Sequence, residues 1–295
     1  MKRIFMAALL LLGLAMPGWA ARLRVTAPAA VHQGEPFFLE VRVNVPVEKM
    51  RLTWRGTDYT LRPQNGLCRT LLGAPNDGRL AGSVLPLLLE FDYNKKTIQV
   101  ERKISVKLRK YPSETLKVAP RMVNPPKKEL QRIAAERKAV KAALAVKSAG
   151  QVLPRVFVRP VINVPTSYYG KQRVYNGVVK GRHGGLDLRA AVGTPVKAAA
   201  SGRVVLTGNH YYAGGSVYLD HGAGVVSSYF HLSKILVKKG ARVKAGDVIA
   251  LSGASGRVTG PHLHLGLYLS GTALDPLPLT GLAKFPQGVE ALYEF

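Results

Sequence analysis

The sequence is short of cysteine and of acidic residues. Among its 295 residues Cys68 is the only cysteine, so a disulfide within the chain and a zinc site built from cysteines are both excluded. Asp and Glu together number 17 against 43 Lys and Arg, which gives a formal net charge of +26. This positive balance favours a polyanionic partner or surface. Apolar residues make up 47% of the chain, enough for hydrophobic cores, and wholesale disorder is excluded.

The apolar segment at the N-terminus is too short to cross a bilayer. It runs over residues 4–18 and contains Pro17, whereas a membrane-spanning helix needs about 20 apolar residues. Positive residues precede it and small residues follow it, which predicts a cleaved secretory signal peptide over residues 1–21. An uncleaved membrane anchor is the alternative. We therefore expect a periplasmic or secreted protein, and the absence of a cysteine after the segment argues against a lipid anchor.

Residues 22–110 carry a strand-like pattern. Apolar and polar residues alternate over 37–45 and again over 98–108, and turn-forming residues separate these runs. The pattern predicts an antiparallel β-sandwich accessory domain of about 90 residues. No cluster of titratable residues stands out in it, and we expect its one histidine, His32, to be solvated.

Residues 111–150 are predicted to be a proline-rich linker followed by a basic helix. Helical sequence begins after the prolines at 125 and 126 and ends near Gly150. Residues 101–147 hold 14 Lys and Arg against 4 Glu, and the apolar stripe of the helix is thin. A solvated helix that bridges two domains is the interpretation we favour. Binding to an anionic membrane surface is the alternative.

Glycine and β-branched residues dominate from residue 151 to the end. Short continuous apolar runs recur there, for example over 203–208 and 225–232, and such runs are typical of strands buried on both faces. The sequence as a whole therefore predicts a mainly β protein, with a second, all-β domain over residues 151–295.

Several kinds of catalytic site are poorly supported in this second domain. No glutamate lies between Glu136 and Glu290, no HExxH or GxSxG motif is present, and the domain has no cysteine. These absences exclude a helical zinc-protease motif and a cysteine nucleophile, and they give little support to a pair of glycosidase carboxylates. Histidine, by contrast, is abundant, and a histidine-rich metal site remains.

The spacing of the histidines supports such a site. His262 and His264 share one face of a strand, about 6.6 Å apart, so one can bind a metal while the other reaches water or substrate. On a straight strand His183 and Asp187 would lie about 13 Å apart, but the intervening Gly184-Gly185 allows a sharp bend. Two histidines and one carboxylate form a common catalytic zinc set that leaves the fourth position to water.

The remaining histidines of the domain have different expected roles. Without a glutamate, proton transfer would fall to His231 or His262. His221 is expected to be structural, in a turn between strands, and His210 to line a groove.

Three segments, read together, resemble a known family. They are HGGLDLRAAVGTPVKAAASGRVV, YFHL and VKKGARVKAGDVIALSGASGRVTGPHLHLG, and over about residues 160–277 they resemble the M23 family of lysostaphin-like zinc metallopeptidases. The resemblance implies a compact β-sheet fold with an open groove and one Zn²⁺. It also implies cleavage of peptide bonds in the stem or cross-bridge peptides of bacterial peptidoglycan.

Carried over residue by residue, the resemblance implies roles for five side chains. His183, Asp187 and His264 would bind zinc. His231 and His262 would flank the attacking water and stabilise the tetrahedral oxyanion.

Outside the five positions the resemblance is less close. The last of the implied ligands is followed by Leu265-Gly266, where many members have an aromatic residue and an acid. The segment YGKQRVYNG, from residue 169 to 177, looks like a variant of the stretch that precedes the first ligand in secreted members.

The expected function is zinc-dependent endopeptidase activity on peptidoglycan, for cell-wall remodelling. Nucleic acid is a poor fit as a partner, because no recognition motif is present. Two alternatives stay open. One is a non-catalytic peptidoglycan-binding or amidase-regulating protein that keeps the zinc fold, and the other is a periplasmic scaffold that acts through the basic helix. A complete set of implied ligands and bases favours the enzyme.

Overall fold

The structure is a computed structural model that describes residues 20–146, 148–149, 152–154 and 156–295. Residues 1–19, most of the expected signal peptide, lie outside the described residues. Among the residues that are described, no helix combines the length and the apolar character needed to cross a membrane.

The first part of the chain forms strands of alternating burial. In chain order they are β1 (Arg22–Ala27), β2 (Ala30–His32), β3 (Pro36–Val43), β4 (Met50–Trp54), β5 (Thr57–Leu61), β6 (Leu67–Gly73), β7 (Val84–Tyr93) and β8 (Lys96–Lys107). A short 3₁₀ helix, Gly78–Leu80, precedes β7.

These strands build two sheets that share a core, as predicted for a β-sandwich. The five-stranded sheet has the order β2-β8-β7-β4-β5, in which β2 alone is parallel to its neighbour. The other sheet contains β1, β3 and β6. Phe37 of the second sheet packs edge-on against Trp54 of the first, with ring centroids 5.6 Å apart. Burial of such apolar faces is the main stabilising contribution.

The segment predicted as a linker is more structured than expected. It holds a strand, β9 (Ser113–Leu116), a 3₁₀ helix, Pro120–Met122, and the predicted helix, α1 (Lys127–Leu144). The helix begins directly after the two prolines, as predicted, and ends six residues before Gly150. Ile133, Ala143 and Leu144 are its buried residues. This narrow face packs the basic helix against the second half of the chain.

The second half of the chain is composed of short strands. They are β10 (Pro165–Ser167), β11 (Gln172–Tyr175), β12 (Val178–Arg182), β13 (Gly185–Arg189), β14 (Pro195–Lys197), β15 (Gly202–His210), β16 (Gly214–Asp220), β17 (Val225–Leu232), β18 (Lys234–Ile235), β19 (Arg242–Val243), β20 (Val248–Leu251), β21 (His262–Leu269), β22 (Thr272–Leu274) and β23 (Val289–Glu294), with a 3₁₀ helix at Leu277–Thr280.

One large sheet organises this half. Its strands follow the order β10-β13-β21-β17-β16-β15-β19, with β22 paired to β21. Every residue of β16 is buried, and β17 has a single partly exposed residue. The run over 225–232 therefore forms a strand covered on both faces, as predicted, whereas the run over 203–208 lies in β15, where Val204 is the only buried residue. The mainly β fold is confirmed.

Two pairings cross the predicted division at residue 151. The last strand, β23, pairs antiparallel with β1 and completes the four-stranded sheet of the N-terminal sandwich. The linker strand β9 pairs parallel with β11, from Gln172 opposite Ser113 to Tyr175 opposite Leu116. The second pairing brings the linker to the edge of the site described below.

Candidate metal centre

Adjacent strands bring two of the predicted ligands together. Strand β13 lies antiparallel to β21 in a register that sets Asp187 opposite His264. Gly185 permits this close approach, because a Cβ atom there would lie 2.3 Å from the Leu265 carbonyl oxygen and 2.6 Å from Nε2 of His264. Glycine is therefore needed at position 185 for the close contact between the two strands, in addition to the sharp bend predicted from the sequence.

His183 joins these two residues from the turn before β13. Its Nε2 lies 3.0 Å from Oδ1 of Asp187 and 3.0 Å from Nδ1 of His264, and Oδ1 and this Nδ1 are 2.8 Å apart. All three residues are buried. Their donor atoms lie within 4.8 Å of one another, so the group could hold a metal ion.

Backbone hydrogen bonds fix the orientation of the imidazole of His183. Its Nδ1 lies 2.8 Å from the carbonyl oxygen of Tyr168. A carbonyl only accepts, so Nδ1 carries the proton and Nε2 presents a lone pair to the cluster. A carbonyl partner on the outer nitrogen is the usual support of a metal-bound histidine. The ring of His264 stacks on Phe230 with centroids 5.1 Å apart, which holds it in place.

His231 and His262 lie beside the three-residue group. Their ring centroids are 4.7 Å apart, and the rings of His231 and His264 are 6.1 Å apart. Nδ1 of His231 donates to the carbonyl of Ser255 at 2.8 Å, and Nδ1 of His262 donates to that of Gly260 at 2.8 Å. Both Nε2 atoms are left with lone pairs. The structure therefore brings all five predicted site residues into one place.

The backbone of His231 is strained. Its φ is +62°, in the left-handed region that residues other than glycine rarely adopt. A backbone hydrogen bond from its N–H to the carbonyl of Ala213 at 2.8 Å holds this conformation. Such strain costs of order 1–3 kcal/mol and is concentrated at functional sites. Here it turns the imidazole at the end of β17 toward His262.

Burial and neighbouring charges shift the pKa values of the site. Burial raises the pKa of Asp187, but its hydrogen-bond contacts with the imidazoles of His183 and His264 and the charges of these groups outweigh burial, so this pKa lies well below its usual range. Burial, followed by the charges of the neighbouring imidazoles, lowers the pKa of His231 to about 3. At neutral pH the carboxylate is charged and the His231 ring is neutral.

A second carboxylate approaches the site from the linker. Arg173 donates from Nη2 to Oδ2 of Asp187 at 2.9 Å, and its Nη1 lies 2.6 Å from Oε2 of Glu114. Glu114 also accepts from Oγ of Ser167 at 2.7 Å and from Nζ of Lys171 at 3.0 Å. With both oxygens engaged, Glu114 is a partner of Arg173 and is not free to act as a base.

This network could not be predicted from the sequence. Arg173 lies inside the YGKQRVYNG segment, which was singled out only because it precedes the first ligand. Glu114 lies in the proline-rich stretch, where no pattern pointed to a site. A search for a basic residue on a strand beside the HxxxD segment could have found Arg173. The contact of Glu114 with Arg173 depends on the parallel pairing of β9 with β11, and no sequence pattern predicts that pairing.

The five residues open onto a cavity of about 360 Å³. Besides them it is lined by side chains of the linker, of β11 and β12, of the turn between β15 and β16, and of the loop before β21, among them Glu114, Tyr175, Lys180, Tyr212 and Arg257. A second, mostly apolar cavity of about 600 Å³ lies between α1 and the sheet, with His210 at its wall.

The other histidines have the environments expected of them. His221 is buried, with Nδ1 2.8 Å from the carbonyl of Ser201 and Nε2 2.8 Å from Oγ of Ser227. His32 is exposed beside Glu35. His210 lines the second cavity and not the first.

Known proteins share this architecture. The model of peptidase family M23 matches residues 181–276, the segment that contains the five residues. A crystal structure from Pseudomonas aeruginosa that carries the designation peptidase M23 superposes with a TM-score of 0.61 and 28% identity. The match covers 83% of this chain and 94% of the Pseudomonas aeruginosa chain.

Curated relatives match about a third of the chain. Peptidoglycan DD-endopeptidase ShyA of Vibrio cholerae is 50% identical over 95 residues, which are 32% of this chain and 22% of that protein. Lysostaphin of Staphylococcus simulans is 42% identical over 115 residues, which are 37% of this chain and 23% of that protein. The chain thus spans about a fifth of the length of these two relatives. The chain thus contains a peptidase M23 domain over residues 181–276.

Proposed function

We propose that the protein is a zinc-dependent endopeptidase that hydrolyses peptide bonds in the stem peptides or cross-links of peptidoglycan. The observation that carries the proposal is the set of two imidazole nitrogens and one carboxylate oxygen within 4.8 Å of one another. Two further histidines, whose Nε2 atoms have no backbone partner, line the same cavity. A protein that only binds its ligand has no need of this second pair.

The donor set fits zinc. Nε2 of His183, Oδ1 of Asp187 and Nδ1 of His264 would hold the ion, and two histidines with one carboxylate are a common catalytic zinc set. When bound there, Zn²⁺ would act as a Lewis acid toward the scissile carbonyl and lower the pKa of a water. Asp187 is charged at neutral pH, and its negative charge suits a divalent cation.

His231 and His262 would handle protons. Each keeps its Nδ1 proton on a backbone carbonyl, so Nε2 can accept a proton from the attacking water. The imidazolium that results carries an N–H at Nε2. It can stabilise the developing oxyanion and then donate the proton to the leaving amine. The neutral state of His231 at pH 7 supplies the lone pair that this sequence of steps requires.

Peptidoglycan is the substrate that the comparisons favour. The printed names of the relatives include peptidoglycan DD-endopeptidases and a glycyl-glycine endopeptidase. The net charge of +26 suits a cell wall that carries free carboxylates. The expected signal peptide over residues 1–21 would deliver the protein to the periplasm or the exterior. In this proposal residues 22–110 are an accessory domain, 111–150 a linker with a helix, and 151–295 the peptidase domain.

Digestion of purified cross-linked peptidoglycan fragments tests the proposal. The full chain is incubated with cross-linked dimers, with and without a chelator, and products are identified by mass spectrometry. We expect dimers to be split into monomers, and we expect the chelator or the His264→Ala substitution to abolish the splitting. Intact dimers in the presence of a zinc-loaded, folded protein would favour the non-catalytic binding or regulatory function.

A further inference from the structure

An arginine that has no acidic partner among the described residues lies in the wall of the active-site cavity. The guanidinium carbon of Arg257 lies over the ring of Tyr175, 4.1 Å from its centroid, and over the ring of Tyr212, 4.7 Å from its centroid. All three residues line the cavity that contains the five histidine and aspartate side chains. Arg257 is only partly exposed, so its charge is partly shielded from solvent.

The other cations of this wall differ from Arg257, because Lys180 is exposed and the two other arginines have partners. Arg173 is bound to Asp187 and Glu114, and Arg182 donates to the carbonyl of Gly170 at 3.1 Å. Within the part of the chain that the structure describes, the guanidinium of Arg257 has neither an ion pair nor a hydrogen bond, and the two aromatic rings are its contacts. Cation–π contacts stabilise the charge while the N–H groups remain unsatisfied. Donors of this kind are available to a ligand.

The position of Arg257 is fixed by its backbone. Its N–H donates to the carbonyl of Tyr212 at 2.8 Å. The preceding residue, Gly256, has a φ of +78°, and a Cβ atom there would lie 2.5 Å from the backbone nitrogen of Gly214. Only glycine fits this close approach. The loop is therefore held against the turn that carries Tyr212.

The two tyrosines are held by different parts of the chain. Tyr212 packs edge-on against Tyr211, with centroids 5.0 Å apart, and the N–H of Tyr211 donates to Glu136 of α1 at 2.8 Å. Tyr175 ends strand β11, opposite Leu116 of the linker strand β9. The guanidinium is thus pre-positioned by a loop, a helix and a strand, so little ordering is needed when a ligand binds.

We infer that Arg257, held by Tyr175 and Tyr212, is a subsite for a free carboxylate of the substrate peptide near the scissile bond. A guanidinium is planar and presents paired N–H donors that match the two oxygens of a carboxylate. The two rings contact the guanidinium carbon, and its N–H groups remain for this bidentate contact. The inference rests on the proposed function and adds to it a preference for substrates with a carboxylate over those in which it is an amide.

Two forms of one substrate test the inference. Cross-linked peptidoglycan dimers are used with their carboxylates free, or with the same carboxylates converted to amides, and kcat/KM is measured for the full chain on each. We expect the free form to be cleaved with a kcat/KM at least tenfold higher, because a charge-assisted bidentate contact is stronger than one to a neutral amide. In Arg257→Gln we expect this ratio to fall to about one, through a loss on the free form alone.

The variants separate recognition from structural support. Arg257→Lys keeps the positive charge but lacks the paired N–H donors of a guanidinium. We therefore expect its ratio of kcat/KM on the free form to kcat/KM on the amidated form to lie between those of the unsubstituted protein and Arg257→Gln. Tyr175→Phe keeps the ring and should keep the ratio, whereas Tyr175→Leu should reduce it. Arg203→Gln, an exposed arginine of β15, is the matched control and should behave like the unsubstituted protein.

The outcomes that overturn the inference are distinct from those that overturn the function. Equal cleavage of both forms by the unsubstituted protein contradicts the carboxylate subsite and leaves the endopeptidase intact. An equal loss on both forms in Arg257→Gln assigns the residue a structural role instead. Failure of the zinc-loaded full chain to cleave either form contradicts the proposed function, and the inference falls with it.

Discussion

Nη2 of Arg173 donates a hydrogen bond of 2.9 Å to Oδ2 of Asp187, the oxygen that faces away from His183 and His264. The arginine side chain is 7% exposed, and its Nη1 is bound to Glu114 at 2.6 Å. Because the arginine fixes one carboxylate oxygen, the other is directed at the two imidazoles. The linker strand that carries Glu114 therefore supports the proposed metal centre from outside.

Replacement of Arg173 by Gln should weaken zinc binding. Loss of an outer partner of a metal ligand typically costs 10–100-fold in affinity, because the ligand is no longer held in the binding orientation. Competition with a chromophoric chelator measures this affinity without reference to activity. Arg24→Gln is the matched control, since it removes an exposed ion pair with Glu290 at 3.3 Å that contributes little. An unchanged zinc affinity in folded Arg173→Gln would contradict the role of this contact.

Much of the fold could be predicted from the sequence, because local patterns determine it. The alternation of apolar and polar residues predicted the N-terminal sandwich, and continuous apolar runs predicted strands covered on both faces. The prolines at 125 and 126 predicted the start of α1. Long-range pairings were not predictable in this way. β23 returns to β1 and β9 pairs with β11 through backbone hydrogen bonds, which carry no signature in residue type.

The same contrast holds for the site. The five histidine and aspartate residues could be proposed as site residues because each lies in a short segment that either its spacing or the family resemblance singles out. Arg173, Glu114 and Arg257 were missed, because their significance lies in what they contact across the fold. A charged residue on an exposed strand and one in a cavity wall look alike in a sequence, and only the tertiary contacts distinguish them.

Replacement of His231 should impair catalysis and spare the metal centre. Loss of a general acid–base typically lowers kcat by about 10²–10⁴-fold. His231→Asn is the suitable variant, because Asn tolerates the φ of +62° better than most residues. We expect kcat to fall while zinc affinity changes by less than a few-fold. His210→Asn, outside the active-site cavity, serves as the control. A kcat near that of the unsubstituted protein would exclude His231 from proton transfer.

The single cysteine should be inert in the folded protein. Cys68 is buried in the core of the N-terminal sandwich, and burial raises the pKa of its thiol to about 12. Because the thiolate is the reactive form, almost none is present at pH 8. A disulfide reagent such as 5,5′-dithiobis-(2-nitrobenzoic acid) should therefore modify one thiol per chain in denaturant and almost none in buffer. Rapid modification of the native protein would contradict this burial.

His221 should contribute to the loss of stability in acid. Burial lowers its pKa below 6.5 in the folded state, so the unfolded chain binds the proton more tightly and stability is lost as pH falls below about 6.5. His221→Asn should be less stable at pH 7 by about 1–3 kcal/mol, since buried hydrogen bonds are lost. Urea unfolding of both proteins at pH 7 and pH 5 measures the difference. We expect the difference in free energy of unfolding between the two proteins to be smaller at pH 5 than at pH 7. An equal difference at both pH values would mean that His221 does not titrate on unfolding.

The central claim is that one zinc ion, held by His183, Asp187 and His264, is required for cleavage of peptidoglycan cross-links. The most direct test is to strip the full chain with a chelator, return zinc in increments, and follow both bound metal and the splitting of cross-linked dimers. Activity should rise in proportion to bound zinc and saturate at about one ion per chain, and His264→Ala should neither hold the ion nor recover activity. Full cleavage by the stripped protein, or by His264→Ala, would contradict the claim.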